Sequence, residues 1–179
     1  KKLGIKEYYS LGGASAVMAL AMGTKKVKAV NKIVGPGSKW VALSKKLVFL
    51  EGLCGIDANY GPSEILCIGD SSSLHETVAS SMIAQSEHDV DAMAILLSKN
   101  KKLITKTKLS IIKQLKNLPR KKIAGKSLKK NGLLIYVSND KNIVNITNYI
   151  GPEHIEASLK NYKKYLNKKI IAGSVCIGP

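Results

Sequence analysis

Apolar residues fall in short blocks separated by polar and glycine-rich stretches, and two spacings alternate along the chain. Ile65-Leu66-Cys67-Ile68 is an unbroken apolar run closed by Gly69, the pattern of a strand covered on both faces. Residues 92–97 and 133–137 repeat it, residues 174–177 give a fourth strand, and residues 31–34 a short one ended by Gly35-Pro36-Gly37. Between these runs the period lengthens to that of a helix. Residues 13–22, after Gly12-Gly13, form an Ala-rich apolar segment read as a short buried helix. Residues 39–50 follow Ser38, a plausible N-cap, and place Trp40, Leu43, Leu47 and Leu50 on one face. After the loop and cap at residues 70–73, residues 74–87 turn Leu74, Val78, Ala79, Met82 and Ile83 inward. Residues 103–118 are amphipathic, with Leu103, Ile104, Ile111, Leu115 and Leu118 inward, lysines outward and Pro119 as terminator. Residues 143–150 and 159–166 are two further helices. Strands separated by helices of this length predict an α/β fold with a mainly parallel sheet. A lobe boundary falls near Glu64, dividing residues 1–64 from 65–179, although composition does not mark it.

Composition adds limits. At 179 residues the chain suffices for one domain or two small lobes, with a hydrophobic fraction of 45% that is ordinary for a globular protein. No stretch approaches the apolar length of a membrane-spanning helix, and the basic start runs into Gly4, Lys6 and Glu7 rather than a signal-peptide core. The first residue is Lys1, and the chain stops at Gly178-Pro179 just after an apolar run, which reads as a piece of a longer protein. Cys54, Cys67 and Cys176 are odd in number and form no C-x-x-C pair, which argues against a disulfide framework or a thiolate zinc site. Small buried thiols in a reducing cytoplasm are the expectation.

The net charge of +17 is large, and all but one of the 29 basic residues are lysine, Arg120 being the exception. No acidic residue lies between Asp91 and Asp140, and residues 99–130 hold twelve lysines. Nucleic-acid readers favour arginine and aromatic side chains, and this segment has one arginine and no aromatic before Tyr136. A solvated basic face is therefore the expectation rather than a nucleic-acid site. A non-catalytic basic binding module remains the alternative from another class.

Three short motifs carry candidate chemistry. Gln85 and His88 in Gln85-Ser86-Glu87-His88 stand three residues apart on a predicted helix, where an amide oxygen and an imidazole nitrogen could share a metal, with Asp89 and Asp91 as further oxygen donors. A histidine compensating the helix C-terminus is the plainer reading. Glu153 and His154 follow Gly151-Pro152; a carboxylate can activate water and a neutral imidazole can take an alcohol proton. The same pair would serve equally as an exposed first turn of a helix. In Asn59-Tyr60-Gly61-Pro62-Ser63-Glu64, Ser63 could bind a polar substrate or close a turn. Gly35-Pro36-Gly37-Ser38 could present free N–H groups to an anion, and a cap accounts for it as well.

Taken together, Leu11-Gly12-Gly13-Ala14, Lys32-Ile33-Val34-Gly35-Pro36-Gly37, Gly61-Pro62-Ser63-Glu64, Gln85-Ser86-Glu87-His88, Gly151-Pro152-Glu153-His154 and Ala172-Gly173-Ser174-Val175 resemble the histidinol dehydrogenases in order and spacing. The resemblance implies Rossmann-like lobes with mainly parallel sheets, and a central fragment of a larger two-lobed enzyme. It implies a zinc- and NAD-dependent four-electron oxidation of L-histidinol through L-histidinal to L-histidine, in a cytoplasmic homodimer with no nucleic-acid or membrane partner. By position it makes Gln85 and His88 zinc ligands that also touch the substrate. It makes Glu153 the residue that activates water, His154 a base that also contacts the substrate, and Ser63 a substrate-binding serine. Ser15 and Ser38 stand where the family commonly carries Gln and Asn in segments associated with NAD. The remaining zinc ligands of the pattern would lie beyond Pro179, so activity is expected of the longer chain rather than of this piece.

Overall fold

A computed structural model of the chain describes residues 4–5, 7–57, 63–163 and 169–178. The chain divides into two compact units, residues 1–61 and 62–179. Glu64, at the expected lobe boundary, starts the first strand of the second unit, and Ser63 belongs to that unit as well.

The first unit holds α1 (Gly13–Met22), β1 (Lys32–Ile33), α2 (Lys39–Leu50) and β2 (Gly55–Ile56), with β1 and β2 pairing in parallel. The expected strand at residues 31–34 is thus reduced to two residues, and its partner β2 had no apolar run to announce it. Val17 and Ala21 of α1 meet Val48 of α2 and Cys54 in a small core, flanked by Val41 and Ile56. The rest of α1 is more exposed than its composition suggests. On α2 the expected inward face is wrong. Trp40, Leu43, Leu47 and Leu50 are 50–68% exposed, and the buried residues are Ser44, Lys45 and Val48. The reason is electrostatic. The Lys45 ammonium, 2% exposed, is paired with Asp57 and donates to the Gly35 carbonyl at 2.9 Å, while Asp57 also accepts from the Gly35 amide at 2.7 Å. This pair rotates α2 so that its lysine faces the Gly35-Pro36-Gly37 loop. Ser38 does occupy the N-cap position, but its hydroxyl makes no capping bond.

The second unit is a five-stranded parallel sheet: β3 (Glu64–Gly69), β4 (Met93–Ser98), β5 (Gly132–Tyr136), β6 (His154–Ser158) and β7 (Ser174–Gly178), in the order β5-β4-β3-β6-β7. Successive strand residues point to opposite faces, and two cores result. Leu66, Ile68, Ile95, Leu97 and Ile155 pack with Ile143 of α6 (Asp140–Ile150). Cys67, Ala94 and Leu96 pack with Val78 and Met82 of α3 (His75–Ser86), under α4 (Lys101–Leu115) and α5 (Lys121–Asn131). The helices that connect β3 to β4 and β4 to β5 therefore cover one face, and α6, which returns the chain to the middle of the sheet, covers the other. This is a doubly wound arrangement that reverses direction between β3 and β6.

Several expectations shift by a residue or two and a few fail. Leu74 is the N-cap of α3 and 64% exposed rather than inward. The amphipathic stretch from residue 103 is α4, but the lysine-rich α5 that follows it was not anticipated, and neither was β6. Cys54 and Cys67 are buried free thiols, whereas Cys176 is exposed. Of the helix expected at residues 159–166, residues 159–162 are loop and turn, and residues 164–166 lie outside the described residues. No helix among the described residues is long and apolar enough to cross a membrane.

Candidate active site

The parallel sheet gathers the predicted chemistry at one edge. Ser63, Glu153 and Ser174 stand at or just before the first residues of β3, β6 and β7, and His154 opens β6. Helix α3 runs back along the sheet, so its C-terminal end brings Gln85 to the same edge. Gly151 makes the approach to β6 possible. It terminates α6 in the left-handed region, with φ 57° and ψ 53° and its amide donating to the Thr147 carbonyl, a conformation that glycine adopts without strain. Pro152 then directs the chain into the strand.

The side chains form one connected series. Gln85, 7% exposed, donates from Nε2 to Ser63 Oγ at 2.5 Å. Ser63 Oγ donates to Glu153 Oε2 at 2.6 Å. The other carboxylate oxygen, Oε1, lies 3.4 Å from His154 Nε2, and His154 Nδ1 is 2.7 Å from Ser174 Oγ. Ser63 is held from behind, its carbonyl accepting from the Met93 amide at 3.1 Å. Glu153 and His154 are each close to half exposed, so a substrate could reach both. A carboxylate fixed by a serine and an imidazole fixed by another serine, side by side and open to solvent, can handle two different protons.

His88 is placed differently from expectation. α3 ends at Ser86, and His88 lies in the turn beyond it, although its amide still bonds the Gln85 carbonyl at 3.2 Å. Its ring is exposed and makes no hydrogen bond among the described residues. Because the Gln85 amide nitrogen is committed to Ser63, its carbonyl oxygen is the atom left for a metal. The C-terminal end of α3 carries partial negative charge, which favours a cation there. Asp89 and Asp91 do not join this set: Asp89 Oδ1 accepts from the Asp91 amide at 3.0 Å, and Asp91 is ion-paired to Lys130 at 2.7 Å. No group of three or more His, Cys, Asp or Glu that could hold a metal occurs among the described residues. The Gln85 side-chain oxygen and the His88 imidazole nitrogens are donors of the kinds zinc accepts, and the two residues would fill two of its four positions.

At the carboxyl edge of the sheet, where ligands of doubly wound folds usually bind, a cavity of about 280 Å³ is lined by Asp70, Ser73, Asn100 and Lys102, and the serines there bond within the edge. Ser73 Oγ accepts from the Asp70 amide at 2.8 Å and donates to the Ser158 carbonyl, and Ser72 Oγ bonds Asp70 Oδ1 at 2.5 Å. A groove of about 400 Å³ between α3 and α4 is lined by His75, Glu76, Lys106 and Ser110, about 15 Å from Gln85 by helix rise. There His75 Nδ1 bonds Ser110 Oγ at 2.8 Å, which makes the third histidine a link between helices. In the first unit, Ser15 and Ser38 are both exposed near helix N-termini. The Gly61-Pro62 part of the serine motif, with Asn59 and Tyr60, lies outside the described residues.

The family model for histidinol dehydrogenase matches residues 1–179. The chain belongs to the histidinol dehydrogenase family. The histidinol dehydrogenase of Pelagibacter ubique is 51% identical in an alignment of 179 positions that covers 99% of this chain and 41% of that protein. That of Listeria monocytogenes serovar 1/2a is 45% identical over 175 residues, 98% of this chain and 40% of that protein. The crystal structure of histidinol dehydrogenase from Elizabethkingia anophelis superposes with a TM-score of 0.89 at 33% identity, covering 99% of this chain and 40% of that one. The chain spans about two-fifths of the length of the curated relatives it matches. The α/β architecture expected from the sequence is therefore that of a histidinol dehydrogenase segment.

Sequence reasoning missed two things at this edge. Ser174 was noticed only as part of a motif, because nothing local indicates that β7 pairs with β6. β6 itself was hidden by the Gly-Pro turn and by three polar residues in five.

Proposed function

We propose that this chain carries the acid–base centre of a histidinol dehydrogenase, which oxidises L-histidinol through L-histidinal to L-histidine in histidine biosynthesis. The observation that carries the proposal is the Gln85–Ser63–Glu153–His154 series in a chain of this family. In this reading His154 takes the proton of the substrate hydroxyl as the first hydride leaves. Glu153 then removes a proton from the water that attacks the aldehyde carbon, allowing the second hydride to depart. Ser63 holds Glu153 in place and lies where a polar substrate group can exchange bonds with it. Gln85 and His88 would hold a zinc ion, which when bound would fix the imidazole and amine of the substrate; the other ligands would come from outside this chain. NAD, when bound, would accept the hydride of each oxidation. Ser15 and Ser38 are the residues we assign to it, the latter because its hydroxyl is uncommitted at the start of α2. The two units would be parts of two Rossmann-like lobes in a cytoplasmic homodimer.

The test is NADH formation from L-histidinol by the zinc-loaded full-length parent. Glu153→Gln and His154→Asn should each lower turnover by ~10²–10⁴, and chelation should abolish it. Turnover on another polar alcohol but not on histidinol would assign a different substrate to the same site. Unchanged turnover in both variants would refute the acid–base assignment.

A further inference from the structure

The Ala172-Gly173-Ser174-Val175 segment contributes no reacting group, yet it is built against the one imidazole that acts there as a base. A Cβ on Gly173 would fall 2.7 Å from the Glu153 carbonyl oxygen, so only glycine allows the two backbones to approach this closely. The Gly173 amide donates to the Pro152 carbonyl at 3.1 Å and the Ser174 amide to the Glu153 carbonyl at 2.8 Å. These bonds lead into the β6–β7 ladder and set Ser174 directly opposite His154. Paired residues of neighbouring strands share a face, and Ser174 Oγ accordingly lies 2.7 Å from His154 Nδ1.

We propose that Ser174 is the positioning residue for His154: its Oγ accepts the Nδ1–H bond and holds the imidazole in the tautomer whose Nε2 lone pair faces the substrate hydroxyl. This rests on the reading of His154 as the base. A neutral imidazole carries one N–H, so a base at Nε2 requires the proton on Nδ1. The competing tautomer would donate from Nε2 to Glu153 Oε1, but 3.4 Å is longer than a normal N–H···O bond, whereas the Ser174 contact is short. Once Nε2 has taken the substrate proton, Nδ1–H still points at Ser174, and the bond strengthens because the donor is charged. The serine thus serves the ring before and after proton transfer without adding a negative charge beside Glu153.

The experiment uses the full-length enzyme. Ser174→Ala should lower kcat for histidinol oxidation by ~10- to 100-fold, the range for loss of a partner that orients an imidazole, with KM for histidinol changed less than about twofold. Ser174→Thr, which keeps the hydroxyl, should recover most of the loss. In ¹⁵N-histidine-labelled protein, His154 should show a protonated Nδ1 in the wild type and a mixture of tautomers in Ser174→Ala. Unchanged kcat in the alanine variant would overturn the proposal. So would a loss that threonine does not restore, or a wild-type spectrum with the proton on Nε2. Should the wild type fail to oxidise histidinol, the functional reading falls, and the spectrum, which needs no substrate, still decides for or against the tautomer.

Discussion

In the second unit the interior is occupied by Leu66, Ile68, Ile95, Leu96 and Leu97, none more than 1% exposed; in the first, Lys45 is inside at 2% while Trp40, Leu43, Leu47, Phe49 and Leu50 stand half or more exposed. Both units were read from apolar pattern, an unbroken run for β3 and β4 and a helical stripe for α2. On β3 and β4 every residue of the run meets a helix on one face or the other, so apolar character and burial coincide. On α2 two stripes compete, one through Trp40, Leu43, Leu47 and Leu50, the other through Val41, Ser44, Lys45 and Val48. The more polar one is buried because Asp57 and the Gly35 carbonyl supply partners for an ammonium. Periodicity reports where a stripe runs; a buried charge and its partners decide which stripe turns inward.

The largest test of this contrast is Asp57→Ala. It leaves the Lys45 ammonium buried without its carboxylate and the Gly35 amide without an acceptor, a loss of about 3–5 kcal/mol. Hydrogen exchange should show the α2 amides opening while those of β3 and β4 keep their protection. Equal loss of protection in both units would mean that they unfold together, and the contrast would collapse.

Leu96→Ala and Leu47→Ala sharpen it further. Leu96 is fully buried between β4 and α3, so truncation should destabilise the second unit by about 2–5 kcal/mol. Leu47, 50% exposed, should change the stability of this chain by less than about 0.5 kcal/mol. Denaturant melts of the two variants give the comparison directly. A large effect at Leu47 would show that the exposed stripe of α2 is covered.

The same contrast explains what could be read in advance. β3, β4 and β5 were legible because strands covered on both faces need unbroken apolar runs, and α3 because Val78, Ala79, Met82 and Ile83 repeat at helical spacing. α5 was not, since Ile123, Ala124 and Leu128 are scattered among lysines and Gly125. β6 was not, since His154, Glu156 and Ser158 interrupt its apolar pattern, and only Ile155 and Ala157 of it enter the core. Of the site, Ser63, Gln85, Glu153 and His154 could be named from their motifs, but their order in the hydrogen-bond series could not. It depends on β3 pairing with β6 across about ninety residues of chain, as the Ser63–Glu153 bond does. The helix geometry expected to hold His88 beside Gln85 fails by two residues, where α3 gives way to a turn.

Gly173→Ala probes the site edge of the second unit rather than its core. A methyl group there would press on the Glu153 carbonyl and push β7 from β6. Overpacking of this kind costs about 1–3 kcal/mol. Because β7 is an edge strand, the cores on either side of β3 and β4 should survive. Hydrogen exchange should then rise only at β7 and at the β6 amides that face it, and the Ser174–His154 bond should be lost with it. Protection lost throughout the sheet would show that β7 is integral to the core rather than added at its edge.

The smallest effect concerns Cys67, in the core between β3 and α3. Burial, with a smaller contribution from Glu156, pushes its thiol pKa well above the ordinary value of 9.0. The folded form therefore keeps its proton at a pH where the unfolded thiol gives it up, so the unfolded state binds fewer protons and stability falls as pH rises past about 9. Below that value the contribution is complete and flat. In Cys67→Val, which fills similar space and cannot ionise, the alkaline decline of the second unit should be shallower than in the parent. The same environment should protect the thiol from alkylating reagents that consume the exposed Cys176. Modification of Cys67 as fast as Cys176 near pH 8 would mean that the sheet opens on the timescale of the reaction, and burial on β3 would then give the thiol no protection.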